Sequence, residues 1–167
     1  MIIQIAGTNG AGKSTVVRTV MSCGRIECES ANGFDVRFSG VGGLVRIVGP
    51  YPEGVATGGC DALKSTDKVY ELVRRGVVEG HSVLFEGAGH TMNQTRGPAL
   101  LHELGGSFIV VLLTTPLGAC LDGIAARRAE RGVGPLEDDY NVRGNYGRAQ
   151  NYAARMRDAG AQMVRAS

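Results

Sequence analysis

The chain has 167 residues, of which 43% are hydrophobic and 20% charged, with a formal net charge of +2. That composition belongs to a folded globular chain and excludes the disordered and membrane-spanning classes. A pI near 8.4 and 5% aromatic residues with no Trp also fall short of a dedicated nucleic-acid binder, which carries a basic face and a stacking surface.

The length predicts a single domain over residues 1–167. The first apolar run, Ile2-Ile3-Gln4-Ile5-Ala6, reads as a strand and leads into Gly7-Thr8-Asn9-Gly10-Ala11-Gly12-Lys13-Ser14. This octet is the G-x-x-x-x-G-K-S pattern of a phosphate-binding loop, and it sits between a strand and a helical run, Ser14 to Met21. Glycines let the backbone fold into an anion nest, so Gly7, Asn9, Gly10, Ala11, Gly12, Lys13, Ser14 and Thr15 are the expected cradle for ATP. Lys13 is expected to reach the β- and γ-phosphates, and Ser14 to ligate magnesium.

Residues 25 to 33 mix charges with Ser, Asn and Gly and read as a loop. Phe34-Asp35-Val36-Arg37-Phe38 then alternates apolar with polar, and a second strand at Leu44 to Val48 completes a predicted β-hairpin over residues 34–48. The hairpin carries Asp35, Arg37 and Arg46, which are either solvated strand charges or a substrate-facing arm. A turn-rich exit, Gly49 to Gly54, and a glycine cluster, Thr57-Gly58-Gly59-Cys60-Asp61, follow. Ser65 is expected to cap a helix with Asp67 in its first turn and Val69, Leu72, Val73 and Val77 on its apolar face, stopped by Gly80.

Ser82-Val83-Leu84-Phe85-Glu86-Gly87 reads as a buried parallel strand that delivers a carboxylate to its C-terminal edge, making Glu86 the candidate magnesium-side acid. His90 lies in the following loop and stands behind the carboxylates as a candidate base. A short helix at 97–104, the strand Phe108 to Leu113 and a helix from Leu117 to Arg131 come next. Arg127, Arg128 and Arg131 end that helix and suit a lid over a migrating phosphate, spanning about 127–145, with Arg127 also facing the nucleotide. A helix from Asn145 to Ala159 and a strand at Ala161 to Arg165 finish the chain. The sum is an α/β three-layer fold: five parallel strands, helices on both faces, and the hairpin as an insertion.

Cys23, Cys28, Cys60 and Cys120 form neither a C-x-x-C pair nor a zinc spacing, and the chain starts on its first strand, which together predict a reducing cytoplasm. No apolar run approaches the roughly 20 residues a membrane helix requires.

A triphosphate cradle, a metal-side acid and an arginine lid predict transfer of the γ-phosphate of ATP. A hydroxyl acceptor benefits from a carboxylate that takes its proton; Asp61 is the candidate, with Asp35 as the alternative and Asp67 beside the acceptor. The run Gly59-Cys60-Asp61, then Ser65 and Asp67, then Leu84-Phe85-Glu86-Gly87, resembles phage P-loop kinases of the 5-hydroxymethyluridine DNA kinase and deoxynucleoside monophosphate kinase-like group. The resemblance implies ATP and Mg2+ as cofactors and a modified pyrimidine in DNA, or a free deoxynucleotide, as the acceptor, in the host cytoplasm. Thymidylate kinases carry Asp-Arg-Tyr/His after the third strand, where this chain has Glu86-Gly87-Ala88. That departure favours a hydroxyl of a base in DNA over a free monophosphate; a nucleotide-binding regulator without transfer activity is the remaining alternative.

Overall fold

The computed structural model describes residues 1–52, 58–87 and 89–167. Glu53, Gly54 and Thr57 of the expected turns, and Ala88, lie outside the described residues. The elements run β1 (Ile2–Ala6), α1 (Lys13–Ser22), β2 (Arg25–Ser30), β3 (Gly33–Arg37), β4 (Val45–Val48), α2 (Cys60–Leu63), α3 (Thr66–Val78), β5 (Ser82–Glu86), α4 (Arg96–Leu104), β6 (Phe108–Leu113), α5 (Leu117–Glu130), α6 (Tyr140–Asp158) and β7 (Gln162–Ala166).

The strands form one seven-stranded mixed sheet in the order β2-β3-β4-β5-β1-β6-β7. This corrects the expected five-stranded parallel sheet. Strands β4, β5, β1, β6 and β7 are mutually parallel, and β2 and β3 extend the sheet as an antiparallel edge. The hairpin over residues 34–48 is therefore no insertion, since β4 pairs directly with β5. The loop expected at 25–33 holds β2, whose six residues are all exposed. With neither face buried, β2 carries no hydrophobic alternation to reveal it, and its pairing with β3 holds it in place.

Side-chain alternation assigns each face. Ile2, Ala6, Val83, Phe85, Val110 and Leu112 pack under Val69, Tyr70 and Val73 of α3, Leu100 of α4, and Ala149, Tyr152 and Met156 of α6. Ile5, Leu84, Ile47, Val36 and Phe34 face the other way, against Val17 of α1 and Cys120 of α5. Each fully buried Val, Leu, Ile, Phe or Met of this core contributes roughly 1.5–3 kcal/mol of transfer free energy. Ser65 caps α3 as the sequence predicts, accepting a bond from the Lys68 N–H at 3.3 Å. Helix α6 starts at Tyr140, five residues before the expected Asn145, so the turn after α5 is shorter than the lid read from sequence. Because β1 lies between β5 and β6, the strand order reverses there, and ligands of open α/β sheets bind outside the C-terminal ends of strands at such a point.

Candidate active site

The C-terminal end of β1 opens into the loop Gly7–Gly12. Gly10 and Gly12 have φ of 83° and 90°, left-handed values that residues bearing a Cβ rarely adopt. A Cβ on Gly10 would also collide with the carbonyl oxygen of Cys120, so α5 packs directly on the loop. Three side chains clamp it further. Thr8 donates through Oγ1 to the Val142 carbonyl at 3.0 Å, and Thr115 to the Ala11 carbonyl at 3.1 Å. Lys13 donates from Nζ to the carbonyls of Gly7 (3.0 Å) and Thr8 (2.8 Å). An ammonium has three N–H bonds, which leaves one for an anion seated in the loop.

Strand alternation sends Glu86 to the α1 side of the sheet with Leu84, where it meets Ser14. Ser14 Oγ lies 3.0 Å from Glu86 Oε2 and 3.3 Å from Oε1, and the Tyr51 hydroxyl donates to Oε1 at 3.0 Å. Gly59 lies so close that a Cβ there would fall on Glu86 Oε1. Burial raises the carboxyl pKa of Glu86, while Lys13, Ser14 and Tyr51 act to lower it. Burial likewise lowers the Lys13 pKa, opposed by the Glu86 carboxylate. The pair Ser14 and Glu86 offers oxygen donors on adjacent walls, the chemistry a hard cation takes. Among the described residues there is no group of three His, Cys, Asp or Glu fit to hold a metal alone, so an ion here would complete its shell with phosphate oxygens and water.

These groups border a cavity of about 750 Å³, within the ~300–1,000 Å³ typical of small-molecule sites. Asn9, Gly10, Gly12, Lys13, Ser14, Thr15, Asp61, Glu86, Arg127 and Arg128 line it, so the structure gathers most of the expected donor-side residues. Gly7 contributes its carbonyl to Lys13, and Ala11 is buried behind the loop. Asp61 stands on α2, a one-turn helix the sequence reading did not contain, and lies 3.9 Å from His90 Nδ1.

The arginines divide. Arg127 Nε donates to the Gly123 carbonyl at 3.0 Å, and Arg128 Nε to the Gly134 carbonyl at 2.7 Å. Arg131, at the C-cap of α5, is exposed and does not line the cavity. The alternation of its strands sets where the hairpin's charges lie. Asp35 and Arg46 are register partners pointing to the α3 face, opposite to Phe34 and Ile47. There Arg46 meets Asp35 through two bonds of 2.8 Å and Glu79 through one of 2.6 Å. The bond to Asp35 raises the Arg46 pKa most, outweighing a desolvation penalty. Arg37 pairs with Glu27 at 2.9 Å, and Asp67 pairs with Arg96. None of Asp35, Arg37, Arg46 and Asp67 lines the cavity.

Sequence reasoning missed Tyr51, the clamps Thr8 and Thr115, and the cavity-lining Glu137, Asp138 and Asn141. For Tyr51 a signal existed: an aromatic between Pro50 and Pro52 just past a buried strand is rigidly presented. Thr8 finds its partner 134 residues away, a separation no local pattern encodes.

A glycine loop with a buried lysine, a hydroxyl–carboxylate pair between α1 and the end of β5, and two arginines lining the same cavity are the parts of a kinase, a phosphotransferase that uses ATP. No protein-family model matches the chain. It is 39% identical over 134 residues to the "5-hmdU DNA kinase" of Pseudomonas phage PaMx11, an alignment covering 76% of this chain and 69% of that protein. The chain therefore belongs to the family of 5-hmdU DNA kinases.

Proposed function

We propose that the protein transfers the γ-phosphate of ATP to the hydroxymethyl group of 5-hydroxymethyluridine in phage DNA, within the host cytoplasm. The 167 residues act as one kinase unit, with a lid formed by the end of α5 and the turn before α6. One observation carries the reading: Asp61 lines the same cavity as Lys13, Ser14 and Glu86, in a chain whose relative is named for this acceptor.

In this reading the Gly7–Ser14 backbone cradles the phosphates and the remaining N–H of Lys13 binds the β- and γ-phosphate oxygens. Ser14, with Glu86 beside it, would hold magnesium, which would supply neutralisation of phosphate charge. The hydroxymethyl oxygen attacks the γ-phosphorus, one O–P bond forming as the bond to the β-phosphate oxygen breaks, and ADP leaves. Asp61 takes the hydroxyl proton. Arg127 and Arg128 stabilise the charge spread over the transferring group.

An acceptor screen with labelled ATP tests this directly, using single-stranded DNA that contains hydroxymethyluracil, matched thymine DNA, and free deoxynucleotides. Labelling of the modified DNA alone is expected, with Asp61→Asn reducing the rate by about 10²–10⁴-fold and leaving ATP affinity in place. Diphosphates from the free nucleotides, with no label in DNA, would overturn it.

A further inference from the structure

Beyond Asp61 lies a second cavity of about 440 Å³, bordered by Thr66, His90, Asn93, Gln94 and Arg148. The two cavities meet at one contact: His90 lines the second, Asp61 the first, and His90 Nδ1 lies 3.9 Å from Asp61 Oδ1. Thr66 Oγ1 donates to the His90 carbonyl at 3.0 Å, tying the loop to α3. His90 Nε2 is buried and has no partner among the described residues, a state that native structures resolve with a water or a ligand.

Arg148 supplies the charge. It stands on α6 and donates from NH1 to Asn145 Oδ1 at 2.8 Å, a neutral acceptor that leaves the positive charge uncompensated. No carboxylate lies within ion-pair distance of it among the described residues, whereas the neighbouring Arg96 and Arg143 are paired with Asp67 and Asp139. Asn93 Oδ1 is committed to the turn before α4, accepting from the N–H groups of Thr95 (3.0 Å) and Arg96 (2.9 Å). Gln94 is exposed beside it, with an amide that can both donate and accept.

We infer that this cavity receives the single nucleotide that carries the acceptor hydroxyl. Arg148 holds its flanking phosphodiester, the Gln94 amide pairs with the N3–H and a carbonyl of the uracil edge, and His90 borders the path of the hydroxymethyl group to Asp61. The inference rests on the DNA-acceptor reading above and names the subsite for it. The volume suits one nucleotide and not a stacked pair, so the substrate enters single-stranded or with its base extruded from the duplex.

The test uses the full chain and a single-stranded hydroxymethyluracil oligonucleotide, varying DNA and salt. Arg148→Gln is expected to raise the KM for DNA about tenfold, and to reduce the slope of log binding against log salt by about 1. The KM for ATP should stay within about two-fold, as loss of uniform acceptor binding requires. Arg148→Lys should restore the salt slope, because it restores the charge, and Gln94→Ala should narrow the preference for hydroxymethyluracil over hydroxymethylcytosine DNA. If wild-type enzyme labels DNA and Arg148→Gln keeps both KM and salt slope while folded by circular dichroism, the subsite is wrong and the DNA-kinase reading stands. If wild-type enzyme labels no DNA, both fall.

Discussion

Two groups of arginines look alike in sequence and behave differently in the fold. Arg37 and Arg46, on the antiparallel edge, are bonded to carboxylates: Glu27 for the first, Asp35 and Glu79 for the second. Arg127 and Arg128, across the cavity from the glycine loop, are bonded to backbone carbonyls. A carbonyl fixes the direction of a guanidinium and leaves its charge intact, whereas a carboxylate cancels it. The first group therefore holds strands and a helix together, and the second keeps its positive charge at the cavity. Proximity of an arginine to a cavity matters less than what already satisfies it.

Substitutions on the two sides separate these roles. The largest effect is expected at Lys13, whose ammonium the loop holds at the cavity: Lys13→Ala should reduce phosphoryl transfer by at least ~10³-fold, measured as initial rate at saturating DNA. Arg127→Ala comes next, with a loss of order 10²–10³-fold in kcat and little change in melting temperature. Equal losses for Arg131→Ala would blur the distinction, because Arg131 lies outside the cavity.

Arg46→Met should do the reverse. Removing a mostly buried cation strands Asp35 and frees Glu79. A cost of about 2 kcal/mol is expected, below the figure for fully buried pairs because both carboxylates keep some solvent contact. For a chain of this length that lowers Tm by roughly 4–8 °C, while kcat stays within about two-fold of wild type. A loss of DNA affinity in this variant would favour the ribbon as a substrate arm.

The smallest effect is in the pH dependence of stability. Arg75 and Arg46 hold the Glu79 carboxyl below its ordinary value. A depressed folded-state pKa means the contribution is full above the unfolded value and is lost as pH falls through the folded one. The acid limb of the unfolding curve should flatten slightly in Arg46→Met and remain unchanged in Arg127→Ala.

The glycine loop and the place of Glu86 were legible because their requirements are local. Positive φ at Gly10 and Gly12, a lysine and a serine at fixed offsets, and a carboxylate at a strand end all fall within short stretches of chain. The parallel strands were legible for a similar reason, since buried runs such as Phe108–Leu113 announce themselves. What stayed hidden depends on distant partners. β2 has no buried face, and its order comes from pairing with β3. The direction of Arg46 depends on strand register, since a shift of one residue would turn it to the other face. The approach of Asp61 to His90 joins helix α2 to the loop after β5, 29 positions along the chain, a contact no periodicity encodes.

The most direct measurement is the position of the label. DNA containing hydroxymethyluracil, phosphorylated from γ-labelled ATP, is digested by nucleases to nucleotides, with no phosphatase step, and separated. The account predicts the label on the 5-hydroxymethyl oxygen of the modified nucleoside, absent with Lys13→Ala and with thymine DNA of the same sequence. Label confined to a strand terminus, or released only as free phosphate, would contradict it.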